Sequence, residues 1–228
     1  MTPSLWRAAL AEAVGTFALI FIGAGSVIAD QLSGGRLGLV GVALAHGLAI
    51  ATMVSATGHV SGGHLNPAVT AGFVVARRMT VRVGVGYVVA QLVGASVGGF
   101  LLVASFPEAA RQAVHLGTPA LGRGVTPGVG IVVETVLTFL LVFTVFGVAV
   151  DARGPRGTAG LMIGLVIAMD ILAGGVLTGG AMNPARAFGP ALFSGAWQNQ
   201  LVYWVGPLLG GALAAWVYES ALIKQEAR

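Results

Sequence analysis

The sequence predicts an all-α membrane protein with six transmembrane helices and two re-entrant half-helices, arranged as an inverted 3+3 repeat. Three observations predict this fold: an apolar composition, six long apolar runs, and two short apolar stretches that each open with Asn-Pro-Ala. Of the 228 residues, 56% are hydrophobic and 9% are charged, whereas about a quarter of a soluble domain is charged. We therefore expect one membrane domain that spans residues 1–228.

Six apolar runs are long enough to cross a bilayer, because about 20 apolar residues cover about 30 Å of hydrocarbon. The first run exceeds the core of a signal peptide, so we expect it to be retained as a span. The predicted spans are residues 8–29, 37–57, 83–106, 129–150, 159–177 and 201–223.

Two shorter apolar stretches, residues 66–76 and 183–193, are predicted to be re-entrant half-helices. At 1.5 Å per residue each reaches only about 16 Å, half of the bilayer. Asparagine can cap a helix, and proline at the first helical position loses no needed N–H group. Non-helical backbone at membrane depth must be buried in protein or line an aqueous cavity. The motifs that open the half-helices consist of Asn66, Pro67 and Ala68, and of Asn183, Pro184 and Ala185.

The two halves of the chain repeat one another. AEAVGTFALIF begins at residue 11 and VETVLTFLLVF at residue 133, which aligns Glu12 with Glu134. The repeats cover about residues 6–106 and 128–223, and each contributes three spans and one half-helix. Three spans per repeat invert the second copy in the membrane, which predicts a functional site at the midplane where the broken helices meet.

The distribution of basic residues predicts the orientation. With the N-terminus inside, three arginines fall in outer loops, Arg36, Arg111 and Arg123. The inner loops and tails carry eight basic residues: Arg7, Arg77, Arg78, Arg82, Arg153, Arg156, Lys224 and Arg228. We therefore expect a multi-pass protein of the cell membrane with both termini in the cytoplasm.

The composition argues against several other functions. The chain has no cysteine, which excludes disulfides, thiolate metal sites and a thiol nucleophile. No metal-ligand spacing or nucleophile–base set is present, so we expect neither an enzyme nor a metal or cofactor. The basic residues lie in short turns between apolar runs, and we expect no nucleic-acid partner.

Several charged or polar residues fall at membrane depth. We interpret Glu12 and Glu134 as internal braces for the re-entrant loops, because backbone that leaves a helix exposes N–H groups that need an acceptor; a catalytic carboxylate pair is the alternative. His64 is expected to hold its loop by hydrogen bonds, with pore contact as the alternative. Asp170 either tunes the outer vestibule or pairs with a neighbouring helix, and the sequence does not decide between these.

The paired motifs predict a gap that selects neutral solutes. Each half-helix N-terminus carries unpaired N–H groups and about +0.5 of an elementary charge. A cation about 4 Å from both ends would be repelled by roughly 4 kcal/mol at an effective dielectric of 20, before its dehydration is counted. A neutral hydrogen-bond acceptor is not repelled, and the amides of Asn66 and Asn183 can donate to it; aquaporins illustrate this exclusion by half-helices.

The motif-bearing segments SGGHLNPAVT and GGAMNPARAFGPAL, together with YWVGPLLGG in the last span, resemble the aquaporin or major intrinsic protein family. The similarity extends from Glu12 to the last span. One Asn-Pro-Ala is a weak signal, but two that open matching apolar stretches in symmetric halves are highly specific. The resemblance implies a homotetramer with one pore in each subunit.

The resemblance also implies an outer selectivity filter of four residues, which fall on His46, Ile171, Gly180 and Arg186. Arg186 would supply a fixed positive charge and a planar set of donors. An ionisable residue inside a span is functional by default, so His46 is expected to line the pore; the alternative is a structural histidine bonded to a backbone carbonyl. The strictly water-selective members carry Phe first and His second, and this chain departs from them with His first and Ile second.

The His-Ile-Gly-Arg set is similar to that of plant tonoplast members and ammonia-permeable animal members. It implies a passive channel for water and ammonia, with hydrogen peroxide or urea as further small neutral solutes. Glycerol-conducting members carry Asp after the arginine, where this chain has Ala187. A glycerol or small-polyol facilitator and a closed-pore structural protein of the membrane are the alternative functions.

Overall fold

The computed structural model describes residues 5–223, and these residues form helices, turns and loops without any β-strand. Five helices are long and apolar enough to cross a membrane. They are the first span, Leu5–Leu32, the second, Gly38–Ser61, the third, Val81–Ser105, the fourth, Pro127–Val150, and the fifth, Arg156–Thr178. The sixth span is the α-helix Val202–Val217, which contains Pro207 and continues as a π-helical turn, Tyr218–Leu222.

The two half-helices are Pro67–Val75 and Pro184–Ser194. In each, asparagine is the N-cap and proline the first helical residue. With six spans and two half-helices, the predicted fold class is confirmed. The loop over residues 107–127, for which the sequence predicted no structure, contains a short helix, Glu108–Ala113, and a single helical turn, His115–Gly117.

The repeats interlock through the half-helices. The first span packs on the third, and the fourth packs on the sixth, while the second and fifth spans cross between the repeats. The first half-helix packs on the sixth span, and the second half-helix packs on the third span. Each half-helix is therefore seated against the last span of the other repeat, which brings the two Asn-Pro-Ala motifs to the centre.

The second and fifth spans approach closely because small residues face one another at their crossing. A side-chain carbon on Gly47 would lie 2.6 Å from the carbonyl oxygen of Gly164. Small residues let backbones approach in this way in membranes, where helix association relies on packing. The crossing places His46 of the second span and Ile171 of the fifth on the same central cavity.

Polar side chains are concentrated inside the bundle, while valine and leucine cover its outside. Glu12, Thr16, Gln91 and Glu134 are fully buried, and each takes part in hydrogen bonds. Burying such groups is tolerated when hydrogen bonds replace those made to water. The polar side chains therefore lie in the interior of the bundle, and the apolar outer surface faces the lipid.

Candidate functional site

The loops that precede the half-helices share an unusual backbone. Gly62 and Gly63 in one loop, and Gly179 and Gly180 in the other, have φ angles between 55° and 90°. Glycine adopts these left-handed conformations without steric cost. The residue before each asparagine is left-handed as well, with φ of 52° at Leu65 and 51° at Met182. These turns direct the loop N–H groups toward two buried glutamates.

In the first loop, the carboxylate of Glu12 accepts the free N–H groups. Its Oε1 accepts from the His64 N–H at 2.9 Å and from the Ser61 hydroxyl at 2.7 Å. Its Oε2 accepts from the Leu65 N–H at 2.6 Å and from Gln91 Nε2 at 2.7 Å. Four donors thus converge on one buried carboxylate, which ties the loop to the first span.

Glu134 makes the matching set of bonds in the second repeat. Its Oε1 accepts from the Thr178 hydroxyl at 2.6 Å and from the Ala181 N–H at 2.9 Å, and its Oε2 accepts from the Met182 N–H at 2.7 Å. Both glutamates are engaged by backbone donors of their own loops. This arrangement gives them the role of anchors and leaves no open face for a catalytic pair.

Each asparagine bonds to its own half-helix and to the loop that precedes the other one. Asn66 Oδ1 accepts from the Ala68 N–H at 2.8 Å, while its Nδ2 donates to the Met182 carbonyl of the opposite loop at 2.8 Å. Asn183 Oδ1 accepts from the Ala185 N–H at 3.0 Å, and its Nδ2 donates to the Leu65 carbonyl at 2.9 Å. Among residues 5–223, the second N–H of each amide has no acceptor, and the two positive helix ends are held face to face.

Arg186, the first residue after the second motif, is buried and fixed by two contacts. Its Nη1 donates to the carbonyl of Gly117 at 2.8 Å, and its Nη2 lies 3.4 Å from Nε2 of His46. Its Nε is buried and has no protein partner among the described residues. The guanidinium therefore keeps donors for a solute while its plane is held in place.

The His46 ring is oriented from its other side. Its Nδ1 lies 2.9 Å from the Val42 carbonyl and can donate to it, which leaves Nε2 as the acceptor that faces Arg186. The ring packs on the π-helical turn of the first span, where a side-chain carbon on Gly23 would lie 2.6 Å from it. The two interpretations of His46 thus coincide, because the residue bonds a backbone carbonyl and also lines the central cavity.

One narrow central cavity connects the predicted residues. Both asparagines, His64 and all four residues of the predicted filter line it: Asn66, Asn183, His64, His46, Ile171, Gly180 and Arg186. Its volume is about 30 Å³, which is room enough for water. The remaining lining is mostly apolar. The cavity therefore has a few polar side chains on a wall that is otherwise apolar.

The two residues whose roles the sequence left open lie in different surroundings. His64 Nδ1 is 3.1 Å from the Thr70 hydroxyl, and its ring also lines the cavity. Asp170 is buried next to Ile171, but it does not line the cavity. Its Oδ2 has no hydrogen-bond partner in the described part of the chain, so the structure provides no helix pairing for it.

Sequence reasoning missed the residues that position these groups. Gly117 reaches Arg186 with a backbone carbonyl, and its φ of 74° and its contact with Ala24 require glycine. Tyr87 and Tyr203 donate to the carbonyls of Ser61 and Thr178, at 2.7 and 2.9 Å. Tyr87 and Tyr203 occupy equivalent positions in the two repeats, and this equivalence was a signal that the sequence offered for them. The Gly117 carbonyl has no such signal, because every residue carries a backbone carbonyl.

A second, wider cavity lies next to the central one. It has a volume of about 590 Å³ and shares Val54 with the central cavity. Arg78 and Arg156 lie at its rim, together with His59. Among residues 5–223, no group of three or more His, Cys, Asp or Glu side chains is placed to hold a metal ion.

Comparisons with known proteins show which family this chain belongs to. The family model described as Major intrinsic protein matches residues 1–218. Aquaporin TIP4-4 from Zea mays is 47% identical over 225 residues, which cover 96% of this chain and 88% of that protein. The lens fiber major intrinsic protein of Gallus gallus is 44% identical over 220 residues, which cover 96% and 82%.

The fold also matches a solved structure, the aquaglyceroporin from Plasmodium falciparum, with a TM-score of 0.81 and 24% identity over 96% of this chain and 97% of that one. At that identity the match concerns the fold alone. Because the family model covers nearly the whole chain and relatives share more than 40% of their residues with it, the chain belongs to the major intrinsic protein family.

Proposed function

We propose that the protein is a passive channel for water that excludes protons and other ions. The observation that carries the proposal is the cross-bonded pair of asparagines, which holds two positive helix ends beside a central cavity of about 30 Å³. Relatives named as aquaporins, such as TIP4-4 and TIP2-3 of Zea mays, support it. A channel needs no catalytic group, and the carboxylates of Glu12 and Glu134 are occupied by loop N–H groups.

The first test is stopped-flow light scattering of proteoliposomes that shrink under an impermeant osmolyte. We expect much faster shrinkage than in empty liposomes, with a low activation energy. A matched pair of variants in the fifth span separates the pore from the membrane: Ile167→Trp places a large ring in the cavity, while Leu165→Trp places it on the outer face. Wild-type shrinkage no faster than in empty liposomes would favour a closed-pore structural protein.

Ammonia is a second proposed solute, because an apolar side chain occupies the filter. Ile171 lies against Gly180, and a side-chain carbon on Gly180 would lie 3.2 Å from Ile171. This wall contributes no hydrogen bond, so a solute less polar than water enters at lower cost. We expect Ile171→His to lower ammonia flux, measured as internal pH change under an ammonium gradient, more than it lowers water flux. Equal losses of both fluxes would count against selection at Ile171.

We further propose that the protein is a homotetramer in the cell membrane with both termini in the cytoplasm. Family membership and the basic residues of the inner loops support this; Lys224 and Arg228 of the tail lie outside the described residues. Because the chain has no cysteine, single-cysteine variants can test the orientation in intact cells. An impermeant maleimide should label Ser33→Cys in the first outer loop and spare Gly157→Cys in the inner loop. Native mass spectrometry tests the tetramer.

A further inference from the structure

An apolar groove lies on the outside of the first half-helix, away from the pore. It has a volume of about 380 Å³ and lies between the third and sixth spans. Half of its lining residues are valines, with Val85 and Val89 of the third span on one side and Trp204 and Leu208 of the sixth on the other. Its floor is made by small residues, including Ala71 of the half-helix. These β-branched side chains are stiff, so the groove keeps its shape.

The length of the groove matches one leaflet of a bilayer. Along the third span it runs from Val81 to Val89, a rise of about 12 Å at 1.5 Å per residue. One leaflet provides about 15 Å of hydrocarbon, half of a core of about 30 Å. A single acyl chain that enters from the membrane surface would therefore lie along most of the groove.

Positive charge marks one end of the groove. Arg82 directly follows the groove residue Val81, and Arg77 follows the groove residue Val75 by two positions. Both arginines are exposed, and neither takes part in the two ion pairs found among residues 5–223. The neighbouring Arg78 is paired with Glu219. Two free guanidinium groups thus lie at the level where a phosphate headgroup would be.

We propose that this groove binds an anionic phospholipid, with one acyl chain over the first half-helix and the phosphate between Arg77 and Arg82. Arginine suits this role because its planar fork of donors matches phosphate geometry. A second copy of the chain packed here about a two-fold axis fits the charge less well, since this contact would bring four arginines together. The bound lipid would support the half-helix from behind, because residues of its other face, including Val69, line the pore cavity.

Native mass spectrometry of the purified full chain tests the proposal, with dioleoyl-phosphatidylglycerol and dioleoyl-phosphatidylcholine titrated in detergent. We expect the wild type to retain phosphatidylglycerol preferentially. The double variant Arg77→Gln with Arg82→Gln should weaken this binding about thirtyfold, from roughly fivefold for each arginine near the headgroups. The matched control, Arg36→Gln with Arg123→Gln, removes the same charge from outer loops and should leave binding unchanged.

A second pair of variants tests the groove itself. Val85 and Val93 lie on the same helix and are similarly exposed, at 58% and 55%, but only Val85 lines the groove. We expect Val85→Trp to displace the lipid and Val93→Trp to retain it, with thermal unfolding as a check that both fold; Val89→Trp is a second groove variant. Equal retention of the two lipids by the wild type would overturn the proposal, as would equal behaviour of the two tryptophan variants. A change of oligomeric state in Val85→Trp alone would assign the groove to a second copy and overturn it as well.

Discussion

The two buried glutamates show how far the repeats are equivalent at the scale of single residues. Tyr87 and Tyr203 make matching hydrogen bonds in the two repeats. Four positions later, Gln91 donates to Glu12, but the matching position of the second repeat is Pro207, which has no side-chain donor. Glu134 is therefore held by one donor fewer than Glu12, although it anchors the loop that carries the filter.

We expect Glu134→Gln to destabilise the protein by about 2–3 kcal/mol, because hydrogen bonds to a charged group are strong and a buried N–H is costly to leave unpaired. The glutamine amide would turn its NH₂ group toward the N–H of Ala181 or Met182, so one of them loses its acceptor. Thermal unfolding and water flux of the purified variant measure the effect. Glu219→Gln, which breaks only an exposed ion pair, is the control; a loss of the same size there would contradict the assignment.

We expect the buried carboxylate of Asp170 to lower the free energy of unfolding of the protein, compared with a neutral side chain at the same position. Its Oδ2 is buried without a partner in the described part of the chain, and a neutral amide costs less to bury than a carboxylate. Asp170→Asn should raise the unfolding temperature by about 2–4 °C, which corresponds to about 1 kcal/mol for a chain of this length. Asp30→Asn is the contrasting variant, because Asp30 Oδ1 accepts two backbone N–H groups. An unfolding temperature lowered by Asp170→Asn would point to a partner that stabilises this carboxylate.

At the scale of elements, the sequence predicted what depends on local pattern. The spans follow from apolar length, and the half-helices from length together with Asn-Pro. The short helix Glu108–Ala113 was missed, because six residues are too few for a periodic signal and its formation depends on tertiary contacts. The contact of Gly117 with Arg186 was missed for a related reason: its carbonyl is common to all residues, and only the folded loop aims it.

The facing ends of the half-helices predict the effect of a charge placed between them. Asn183→Asp replaces the Nδ2 that donates to the Leu65 carbonyl and adds a negative charge at the midplane. That charge would offset a repulsion of roughly 4 kcal/mol, which corresponds to about a thousandfold in the rate of cation passage. Sodium flux into proteoliposomes measures it. Asn199→Asp adds the same charge in an exposed turn before the sixth span and should admit no sodium; equal leaks would contradict the role of the helix ends.

Helix contacts through glycine give a prediction with an internal control. A side-chain carbon on Gly99 of the third span would lie 2.6 Å from the Gly189 carbonyl of the second half-helix, whereas one on Gly58 would have nothing within 4 Å. Gly99→Ala should therefore destabilise the protein by about 1–3 kcal/mol, while Gly58→Ala should stabilise it by about 0.5–1 kcal/mol. Thermal unfolding of both variants measures the difference, and the same sign of effect in both would contradict the proposed close packing.

At the scale of the whole molecule, the interlocked repeats explain why a few polar side chains are enough to organise the central cavity. Each half-helix is seated on the last span of the other repeat, and two glutamates, two asparagines and one arginine organise the centre. The sequence predicted these residues through symmetry and family resemblance. It did not predict the width of the cavity. That width depends on how closely His46 packs on Gly23 and Ile171 packs on Gly180.

The absence of cysteine from the chain predicts that thiol-specific mercurials will not reduce water flux. Mercury blocks a pore by binding a thiolate within it, and no thiol is present. Ala181→Cys would introduce one in the wall of the central cavity, where a bound mercurial fills a space of about 30 Å³. We therefore expect stopped-flow shrinkage of Ala181→Cys proteoliposomes to become sensitive to mercurial and to recover with a reducing thiol. Ser33→Cys, in the loop between the first and second spans, should remain insensitive. Block of the wild type would show that mercury acts outside the pore, and an insensitive Ala181→Cys would show that water takes another path.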